Sequence, residues 1–539
     1  MMNGADAMIK CLEKEGVEVV FGYPGVAICP FYNSILESEI QTVLIRTEQN
    51  AAHAASGLAR VTGRPGVCAV TSGPGATNVI TGIATAFADS IPLICITGQV
   101  NSELLGSDSF QEADITGAVE SFVKYSYLVR DVEDIPRIMK EAFHIANTGR
   151  KGPVLIDVPI DVQNAELKKF EYPEEISMRT YKPTVKGNVV QIKKVVKELE
   201  KAKRPIICAG GGVLLSNAQQ ELRAFADKYR IPVVTTMMGI GVMPTEDELY
   251  FGMVGGHGKA YANRAMNESD LLIMVGARVA DRAVSQPDLI TENKVLVHID
   301  VDPAEIGKNA GPTIPLVGDA KHIFEDFAKE EFTCEHEEWL KTLNTYRETM
   351  IVKRSPNPDY VDPAEFIRML SLKMKEDAIY VADVGQNQIW SCGYHIVRKG
   401  MFLTSGGMGT MGYSIPAAMG AKLGDKNRQV IAVCGDGSFQ MSMMELATMR
   451  QHNIPVKIIV LKNNYLGMVR EYQHYTYKDN YSVVDLSGSP DLEKLAAAYE
   501  LPFLRLSNME KAEEVLDAFL KEDESVLLEC LIDPYDLVK

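Results

Sequence analysis

The sequence predicts an α/β fold of three doubly wound domains with mostly parallel sheets. One observation is length: 539 residues exceed what one hydrophobic core organises, since domains usually hold roughly 100–200 residues. A second is that short apolar runs alternate with helix-length segments along the whole chain. A third is that several apolar runs end in glycine-rich or polar turns, which is typical of the ligand-binding edge of a parallel sheet.

The alternation places the predicted domains at residues 1–163, 188–330 and 359–539, joined by polar segments at 164–187 and 331–358. Short β-branched runs indicate buried parallel strands. These runs are 17–21, 42–45, 66–70, 93–97 and 154–158 in the first domain, 205–209, 271–275 and 295–302 in the second, and 378–383, 430–434 and 456–461 in the third.

Composition excludes several classes of protein. A net charge of −17 argues against a nucleic-acid or anionic-membrane partner, since both require a basic surface. The nine cysteines contain no Cys-x-x-Cys pair, which favours free thiols over a disulfide framework or a zinc site. No apolar run approaches the roughly 20 residues that cross a bilayer, and the first residues carry no secretory signal pattern. We therefore expect a cytoplasmic protein.

The most informative stretch is one βαβ unit in the third domain. A predicted strand ends at Gly435-Asp436-Gly437-Ser438, a predicted helix covers 440–451, and the next strand ends at Asn463-Asn464. Glycines let the backbone approach a phosphate, and Asp and Asn supply oxygen ligands of the kind that Mg²⁺ takes together with phosphate oxygens. The stretch predicts a metal-bridged diphosphate site. The alternative is an ordinary βα turn.

Glu48 has two interpretations. It follows a predicted strand and precedes an alanine-rich helix predicted over 51–62, so it could simply be an acid favoured by the helix dipole, with Thr47 as the N-cap. The residues around it favour this first interpretation. The second, a catalytic role, rests on a family resemblance.

The Gly-Asp-Gly-Ser and Asn-Asn spacing resembles the signature of thiamine diphosphate (ThDP) enzymes. The resemblance implies that Asp436, Asn463 and the backbone carbonyl of Tyr465 hold Mg²⁺. It also implies that Glu48 is the catalytic glutamate, which protonates the aminopyrimidine ring of the cofactor. In that family the glutamate of one subunit meets the diphosphate site of another, so the resemblance implies a homo-oligomer with its active site at a dimer interface.

The segment 404–412 is a second match to the ThDP family. The resemblance implies that the Gly409 carbonyl accepts a hydrogen bond from the cofactor's 4′-amino group and that Met411 is the wedge that bends the cofactor. A buried core position is the alternative for Met411. The residues implied to contact the diphosphate are Val384, Gly385, Gln386, Asn387, Gly437 and Ser438.

Nearly the whole chain is most similar to the catalytic subunit of acetolactate synthase, also called acetohydroxyacid synthase. The matches include Phe21-Gly-Tyr-Pro-Gly25, Thr71-Ser-Gly-Pro-Gly-Ala-Thr-Asn78 and Ser109-Phe-Gln-Glu112. The resemblance implies decarboxylation of pyruvate and transfer of the two-carbon unit to a second 2-keto acid, giving 2-acetolactate. It further implies that Phe110 and Gln111 line the substrate pocket, that Arg278 binds the acceptor carboxylate, and that a regulatory subunit can associate.

That family also binds FAD in its middle domain without using it for redox chemistry. The positions in this sequence that match its flavin contacts are Gly210, Gly211, Gly212, Gly255, His257, Arg278, Arg282, Asp300 and Asp319. Two alternatives are a nucleotide fold that has lost its ligand, and the ADP of coenzyme A, which related lyases bind there.

Four departures from the family pattern fall in the implied substrate pocket: Val26, Asn101, Ile160 and Tyr472, where Ile160 replaces a lysine. They keep other functions open. These are another ThDP lyase or decarboxylase, such as 2-hydroxyacyl-CoA lyase or oxalyl-CoA decarboxylase, and an enzyme like pyruvate oxidase with catalytic FAD. A non-enzymatic nucleotide-binding protein is the third alternative.

Overall fold

The computed structural model describes residues 2–284, 290–521 and 524–538, and three α/β units, each built on a six-stranded sheet, make up its fold. Every pair of neighbouring strands in these three sheets is parallel. The predicted fold class is therefore confirmed.

The first unit contains a six-stranded sheet, called the first sheet below, and a separate two-stranded ladder. The strands of the unit are β1 (Met2–Asn3), β2 (Val19–Tyr23), β3 (Gln41–Leu44), β4 (Gly66–Val70), β5 (Leu93–Gln99), β6 (Tyr125–Leu128), β7 (Pro153–Pro159) and β8 (Glu166–Leu167). Its helices are α1 (Gly4–Lys14), α2 (Cys29–Ser34), α3 (Glu48–Thr62), α4 (Pro74–Asn78), α5 (Ile80–Ala88), α6 (Ile115–Ala118), α7 (Ile135–Asn147) and α8 (Ile160–Asn164). The sheet order is β3-β2-β4-β5-β7-β6, and β1 pairs with β8 in a separate antiparallel ladder.

The second unit carries the central sheet. Its strands are β9 (Pro205–Ala209), β10 (Val233–Thr235), β11 (Tyr250–Met253), β12 (Leu271–Val275), β13 (Val295–Asp300) and β14 (Ile314–Val317). Its helices are α9 (Val189–Lys201), α10 (Gly211–Leu215), α11 (Gln219–Tyr229), α12 (Ala260–Glu268), α13 (Ala320–Phe327) and α14 (Glu337–Thr349). Counted within the unit, the strand order is 3-2-1-4-5-6, which is the order of dinucleotide-binding sheets.

The third unit carries the third sheet. Its strands are β15 (Ile379–Ala382), β16 (Met401–Thr404), β17 (Val430–Gly435), β18 (Lys457–Lys462), β19 (Phe503–Leu506) and β20 (Leu527–Leu531). Its helices are α15 (Pro363–Lys373), α16 (Gln386–Tyr394), α17 (Ser414–Gly424), α18 (Asp436–Gln440), α19 (Glu445–Gln451), α20 (Gly467–Tyr477), α21 (Leu492–Ala498) and α22 (Ala512–Leu520). Counted within each unit, the first and third sheets share the strand order 2-1-3-4-6-5.

The first and third units pack together through α3 and α17, which cross with their backbones in contact. A Cβ atom on Gly57 would lie 1.9 Å from the carbonyl oxygen of Ala417, and one on Gly420 would lie 1.8 Å from that of Ala54. Buried alanines cover most of the remaining contact. Since any side chain at the two glycines would collide with backbone, the crossing requires glycine at both positions.

Two segments differ from the sequence prediction. The helix predicted over 440–451 is split into α18 and α19, because the turn between them is closed by the shorter i→i+3 hydrogen bonds from Ser442 N–H to Phe439 and from Glu445 N–H to Ser442. The predicted connecting segment 331–358 contains α14. Its Trp339 is buried and donates to the carbonyl of Pro205 over 3.2 Å, so α14 packs on the central sheet.

Among the described residues, no helix is both long enough and apolar enough to cross a bilayer.

We predict that Gly420→Val lowers the midpoint of thermal unfolding by several degrees. The added methyl groups would meet the carbonyl oxygen of Ala54, and overpacking against backbone costs about 3 kcal/mol. The measurement is differential scanning calorimetry of both proteins. Gly311→Ala is the control, because a Cβ atom at Gly311 meets no heavy atom within 4 Å. Equal midpoints for Gly420→Val and wild type would contradict the close crossing.

Candidate active site at the carboxyl edge of the third sheet

The carboxyl ends of β15, β17 and β18 lie side by side in the third sheet. The strand order reverses between β15 and β17, and parallel α/β sheets bind their ligands at such a switch point. A small cavity lies there, and most of the predicted ThDP and metal residues line it. They are Val384, Gly385, Gln386, Asn387, Met411, Asp436, Gly437, Ser438, Asn463 and Tyr465.

Asp436 begins α18 immediately after β17 and is nearly buried. Its Oδ2 accepts a hydrogen bond from Asn464 N–H over 2.6 Å, and its Oδ1 accepts one from Gly437 N–H over 3.1 Å. Burial raises the pKa of Asp436 to about 6, and the hydrogen bonds offset part of that rise. A bound cation would stabilise this buried carboxylate.

Asn463 follows β18 and faces the same cavity as Asp436. Its Oδ1 accepts from Tyr465 N–H over 2.9 Å, which fixes the turn that carries the Tyr465 carbonyl. Among the described residues, no three His, Cys, Asp or Glu side chains form a group that could hold a metal. One carboxylate with one amide and one carbonyl fits Mg²⁺, which takes few protein ligands and completes its shell with phosphate and water.

The backbone around the cavity fits a diphosphate. Gly385 has φ +137°, a conformation that favours glycine, and it precedes the N-terminus of α16. The N-terminus of a helix offers free N–H groups and a positive dipole end to an anion. A Cβ atom on Gly437 would lie 2.8 Å from Leu466 Cδ2, so the absence of a side chain at Gly437 lets Leu466 pack closely against the start of α18.

Two predicted diphosphate contacts have other partners in the structure. Gln386 Nε2 donates to Glu471 Oε2 over 2.9 Å and to the carbonyl of Asp536 over 3.2 Å. Asn387 Nδ2 donates to the carbonyl of Asp383 over 2.8 Å. Both side chains therefore shape the cavity wall through contacts with the protein.

Gly409 and Met411 occupy a loop after β16. Gly409 has φ +69°, and a Cβ atom there would meet no heavy atom within 4 Å, so the loop is open at this point. Met411 is half-buried and lines the cavity, so it does not occupy the core position considered as an alternative. Its Cε lies 3.5 Å from the position of a Cβ atom on Gly437, so the end of the side chain reaches α18.

Sequence reasoning missed Asp383, which fixes this loop. The residue is fully buried after β15, and its carboxylate accepts from the N–H groups of Gly412 over 2.9 Å and Ser414 over 2.8 Å. Burial raises its pKa. The sequence does contain a signal for this role, because Asp383 is an acid at the end of the predicted strand 378–383, in a position comparable with that of Asp436 after its strand.

Glu48 is the first residue of α3, and the side chain of Thr47 makes no capping hydrogen bond. Glu48 Oε2 accepts from Asn78 Nδ2 over 3.1 Å. In the described part of the chain, Glu48 does not line the cavity that contains Asp436. Glu48 is thus not among the residues that share this cavity with the predicted metal and diphosphate contacts.

The predicted substrate residues of the first unit lie at the carboxyl edge of the first sheet. Val26, Asn101 and Ile160 follow β2, β5 and β7, which belong to the same sheet as β4. Gln111 packs against Gly73 after β4, with its Cβ atom 2.9 Å from a Cβ position on that glycine. Val26 is 77% exposed and Phe110 is 86% exposed. Tyr472 lies on α20 of the third unit and is also exposed.

A second and larger cavity of about 610 Å³ lies where the three units meet. Of the predicted flavin contacts, Gly211, Gly212, His257, Arg278, Arg282, Asp300 and Asp319 line it. Gly210 and Gly255 do not: Cβ atoms there would lie 2.3 Å from the carbonyl oxygen of Gly276 and 2.2 Å from that of Arg282, so both serve backbone packing. Arg278 Nη2 donates to the carbonyl of Ala88 over 2.8 Å.

This larger cavity has the properties of a nucleotide site. It opens at the carboxyl ends of β9 and β12, between which the central strand order reverses. A Cβ atom on Gly212 would lie 2.6 Å from Gly276 Cα, so the two glycine turns touch. It shares Val384, Gly385 and Met468 with the smaller cavity, so the two cavities adjoin.

Models of known protein families match three parts of the chain. The N-terminal TPP binding domain of thiamine pyrophosphate enzymes matches residues 2–118, their central domain matches 192–327, and their C-terminal TPP binding domain matches 383–530.

Curated relatives match nearly the full chain. A probable acetolactate synthase large subunit from Methanocaldococcus jannaschii is 43% identical over 547 residues, covering 99% of this chain and 92% of that protein. The acetolactate synthase large subunit of Haemophilus influenzae is 40% identical and that of Corynebacterium glutamicum is 43% identical. These two alignments cover 99% and 97% of this chain and 95% and 85% of the relatives. The chain belongs to the thiamine pyrophosphate enzymes and, among them, to the acetolactate synthase large-subunit family.

Proposed function

We propose that this chain is the catalytic subunit of an acetolactate synthase, which decarboxylates pyruvate and joins the remaining two-carbon unit to a second 2-keto acid. The observation that carries the proposal is the convergence of Asp436, Asn463 and Tyr465 with the glycine backbone of Gly385 and Gly437 in one cavity. ThDP bound there with Mg²⁺ supplies the electron sink that decarboxylation requires.

Each group around the small cavity then has a role. The oxygens of Asp436 and Asn463 and the Tyr465 carbonyl would hold Mg²⁺, whose charge would offset that of the diphosphate. Backbone N–H groups at the start of α16 bind phosphate oxygens. Met411 would pack against the bound cofactor in the small cavity, and the Gly409 carbonyl, at the adjoining larger cavity, would accept a hydrogen bond from the cofactor's amino group.

The active site is completed by a second copy of this chain. Glu48 belongs to the first unit and does not line the cavity of its own third unit, which supports a contribution from a partner subunit. Apolar side chains at both sheet edges are exposed, with Phe110 at 86% and Tyr472 at 59%. Aromatic side chains are enriched in protein interfaces, and these two are available for a contact with a second copy.

The substrate pocket lies between these edges. Gln111 and Phe110 orient the reacting groups, Arg278 pairs with the carboxylate of the acceptor, and Val26, Asn101, Ile160 and Tyr472 set the shape of the pocket. The position of Arg278 supports its proposed role. One of its guanidinium nitrogens donates to the carbonyl of Ala88, and this contact holds the guanidinium at the wall of the larger cavity.

The larger cavity binds FAD as a structural group. Its volume of about 610 Å³, its touching glycine turns and the 3-2-1-4-5-6 strand order support a dinucleotide. ADP from a coenzyme A ligand is the alternative occupant. We also propose the domain limits 1–163, 188–330 and 359–539, since each range contains one six-stranded sheet.

The cellular setting is part of the proposal. All nine cysteines are free in the structure, which supports a reducing compartment such as the cytoplasm. Because the relatives are named large subunits, we further propose that a smaller regulatory subunit binds this chain.

The function is tested by supplying the purified protein with ThDP, Mg²⁺ and pyruvate. We expect release of carbon dioxide with formation of acetolactate, while the absorbance of a bound flavin stays constant through turnover. A flavin that is bleached by pyruvate would indicate an oxidase. Acyl-CoA turnover without acetolactate would indicate a coenzyme A-dependent lyase. Either result would contradict the proposal.

Asp436→Asn should weaken Mg²⁺-dependent binding of ThDP on the order of 100-fold, because the amide removes the one negative charge among the proposed metal ligands. Isothermal titration with ThDP at fixed Mg²⁺ measures the effect. Asp491→Asn is the matched control, since Asp491 caps α21 and lies outside both cavities. Unchanged affinity in Asp436→Asn would show that the metal binds elsewhere.

Glu48→Gln should abolish exchange of the cofactor's C2 proton while Mg²⁺ and ThDP remain bound. The amide keeps the shape of the side chain but cannot protonate the aminopyrimidine ring. Deuterium exchange followed by NMR, together with a ThDP titration, separates the two effects. Glu39→Gln, an exposed glutamate before β3, is the control. Exchange at the wild-type rate in Glu48→Gln would rule out the proposed role.

A further inference from the structure

The turn that presents Glu48 has no side-chain cap. Glu48 begins α3, and the Thr47 side chain forms no capping hydrogen bond. Two residues of this turn, Arg46 and Asn50, bond to a partner from another part of the chain.

That partner is Glu445, which comes from the third unit of the same chain. Glu445 begins α19 and is 0% exposed. Its Oε1 accepts from the backbone N–H of Arg46 over 3.0 Å and from Asn50 Nδ2 over 2.9 Å. These two contacts lie on either side of Glu48 in the sequence.

The Glu445 carboxylate is also held by a residue of its own helix. Oε2 of Glu445 accepts from Thr448 Oγ1 over 2.6 Å, within the same helix. Burial raises the pKa of Glu445, and the hydrogen bonds from Thr448, Asn50 and Arg46 offset part of the rise. Burying a carboxyl group costs free energy of desolvation. Here three hydrogen-bond donors offset that cost, which is typical of a buried polar group that fixes a specific geometry.

We propose that Glu445 is a positioning residue for Glu48: it binds the two sides of the turn and so fixes the direction in which Glu48 points toward the cofactor. This inference rests on the proposed function, in which Glu48 activates ThDP. Glu445 touches neither cavity, so it acts only through the turn.

The test uses three substitutions of Glu445 in the full-length protein loaded with Mg²⁺ and ThDP. Glu445→Ala and Glu445→Asp remove the reach to Arg46 and Asn50, and each should slow C2 proton exchange on the order of 10- to 100-fold, since small misplacements of a catalytic group have effects of that size. Glu445→Gln keeps the acceptor oxygen and should retain most of the rate. Affinity for Mg²⁺ and ThDP should be unchanged in all three.

His452→Ala is the matched control. His452 Nε2 contacts Leu44 N–H over 3.1 Å, so it belongs to the same contact between units but lies outside the turn around Glu48. We expect its C2 exchange to equal that of the wild type. If the alanine and aspartate variants fail to fold, Asn50→Ala replaces them, because it removes one of the same contacts from the other side and should also slow exchange.

Three results would overturn the inference alone: wild-type exchange in Glu445→Ala, equal slowing in Glu445→Gln and Glu445→Ala, or equal slowing in His452→Ala. The second would mean that charge matters and position does not. A wild-type protein that binds Mg²⁺ and ThDP without any C2 exchange would instead overturn the proposed function, and this inference with it.

Discussion

The close crossing of α3 and α17 is the constraint on which the rest of the molecule depends. Backbone meets backbone there, and Gly57 and Gly420 are the residues that allow it. Further contacts reinforce the same junction: Asp89 of the first unit accepts from Gly407 N–H over 2.7 Å, and Thr85 Oγ1 lies 2.7 Å from Thr410 Oγ1. The first and third units therefore form one block, and the loop that carries Gly409 and Met411 is held by both.

The block separates two halves of the chemistry that the family requires. The residues proposed to hold the metal and the diphosphate lie together at the third sheet because three adjacent parallel strands end there. Glu48 and the proposed substrate residues Val26, Asn101 and Ile160 follow strands of the first sheet. Both sheets have the same strand order, so each presents its loops at an equivalent switch point. A second copy of the chain is the simplest means of joining the two halves.

Much of the fold could be predicted because it depends on local sequence. Buried parallel strands such as Gly66–Val70 and Leu271–Val275 are continuous apolar runs, and their predicted bounds agree with the structure. Edge strands such as Tyr125–Leu128 are half-exposed and short, so the sequence contains no comparable signal for them. The split between α18 and α19 was missed because its apolar spacing continues through the break, whereas backbone hydrogen bonds determine it.

The site was predictable to a similar extent. The Gly-Asp-Gly and Asn-Asn turns were predicted to lie close together, and they line one cavity because both follow adjacent strands that the sequence also indicates. The contacts of Glu445 with Arg46 and Asn50 could not be predicted, since they join residues almost 400 positions apart. At Gly210 and Gly255 the structure adds a second reason for glycine: both match a ligand-binding pattern, and both also lie in close backbone packing.

The claim that the active site forms between two copies of the chain is tested most directly by mixing two inactive variants. Glu48→Gln lacks the catalytic acid and Asp436→Ala lacks the metal ligand, so a mixed dimer has one site with both defects and one intact site. Random reassembly should restore activity to about a quarter of the wild-type value, since half of the dimers are mixed and each has one working site of two. Activity that stays at the sum of the separate variants would contradict the account.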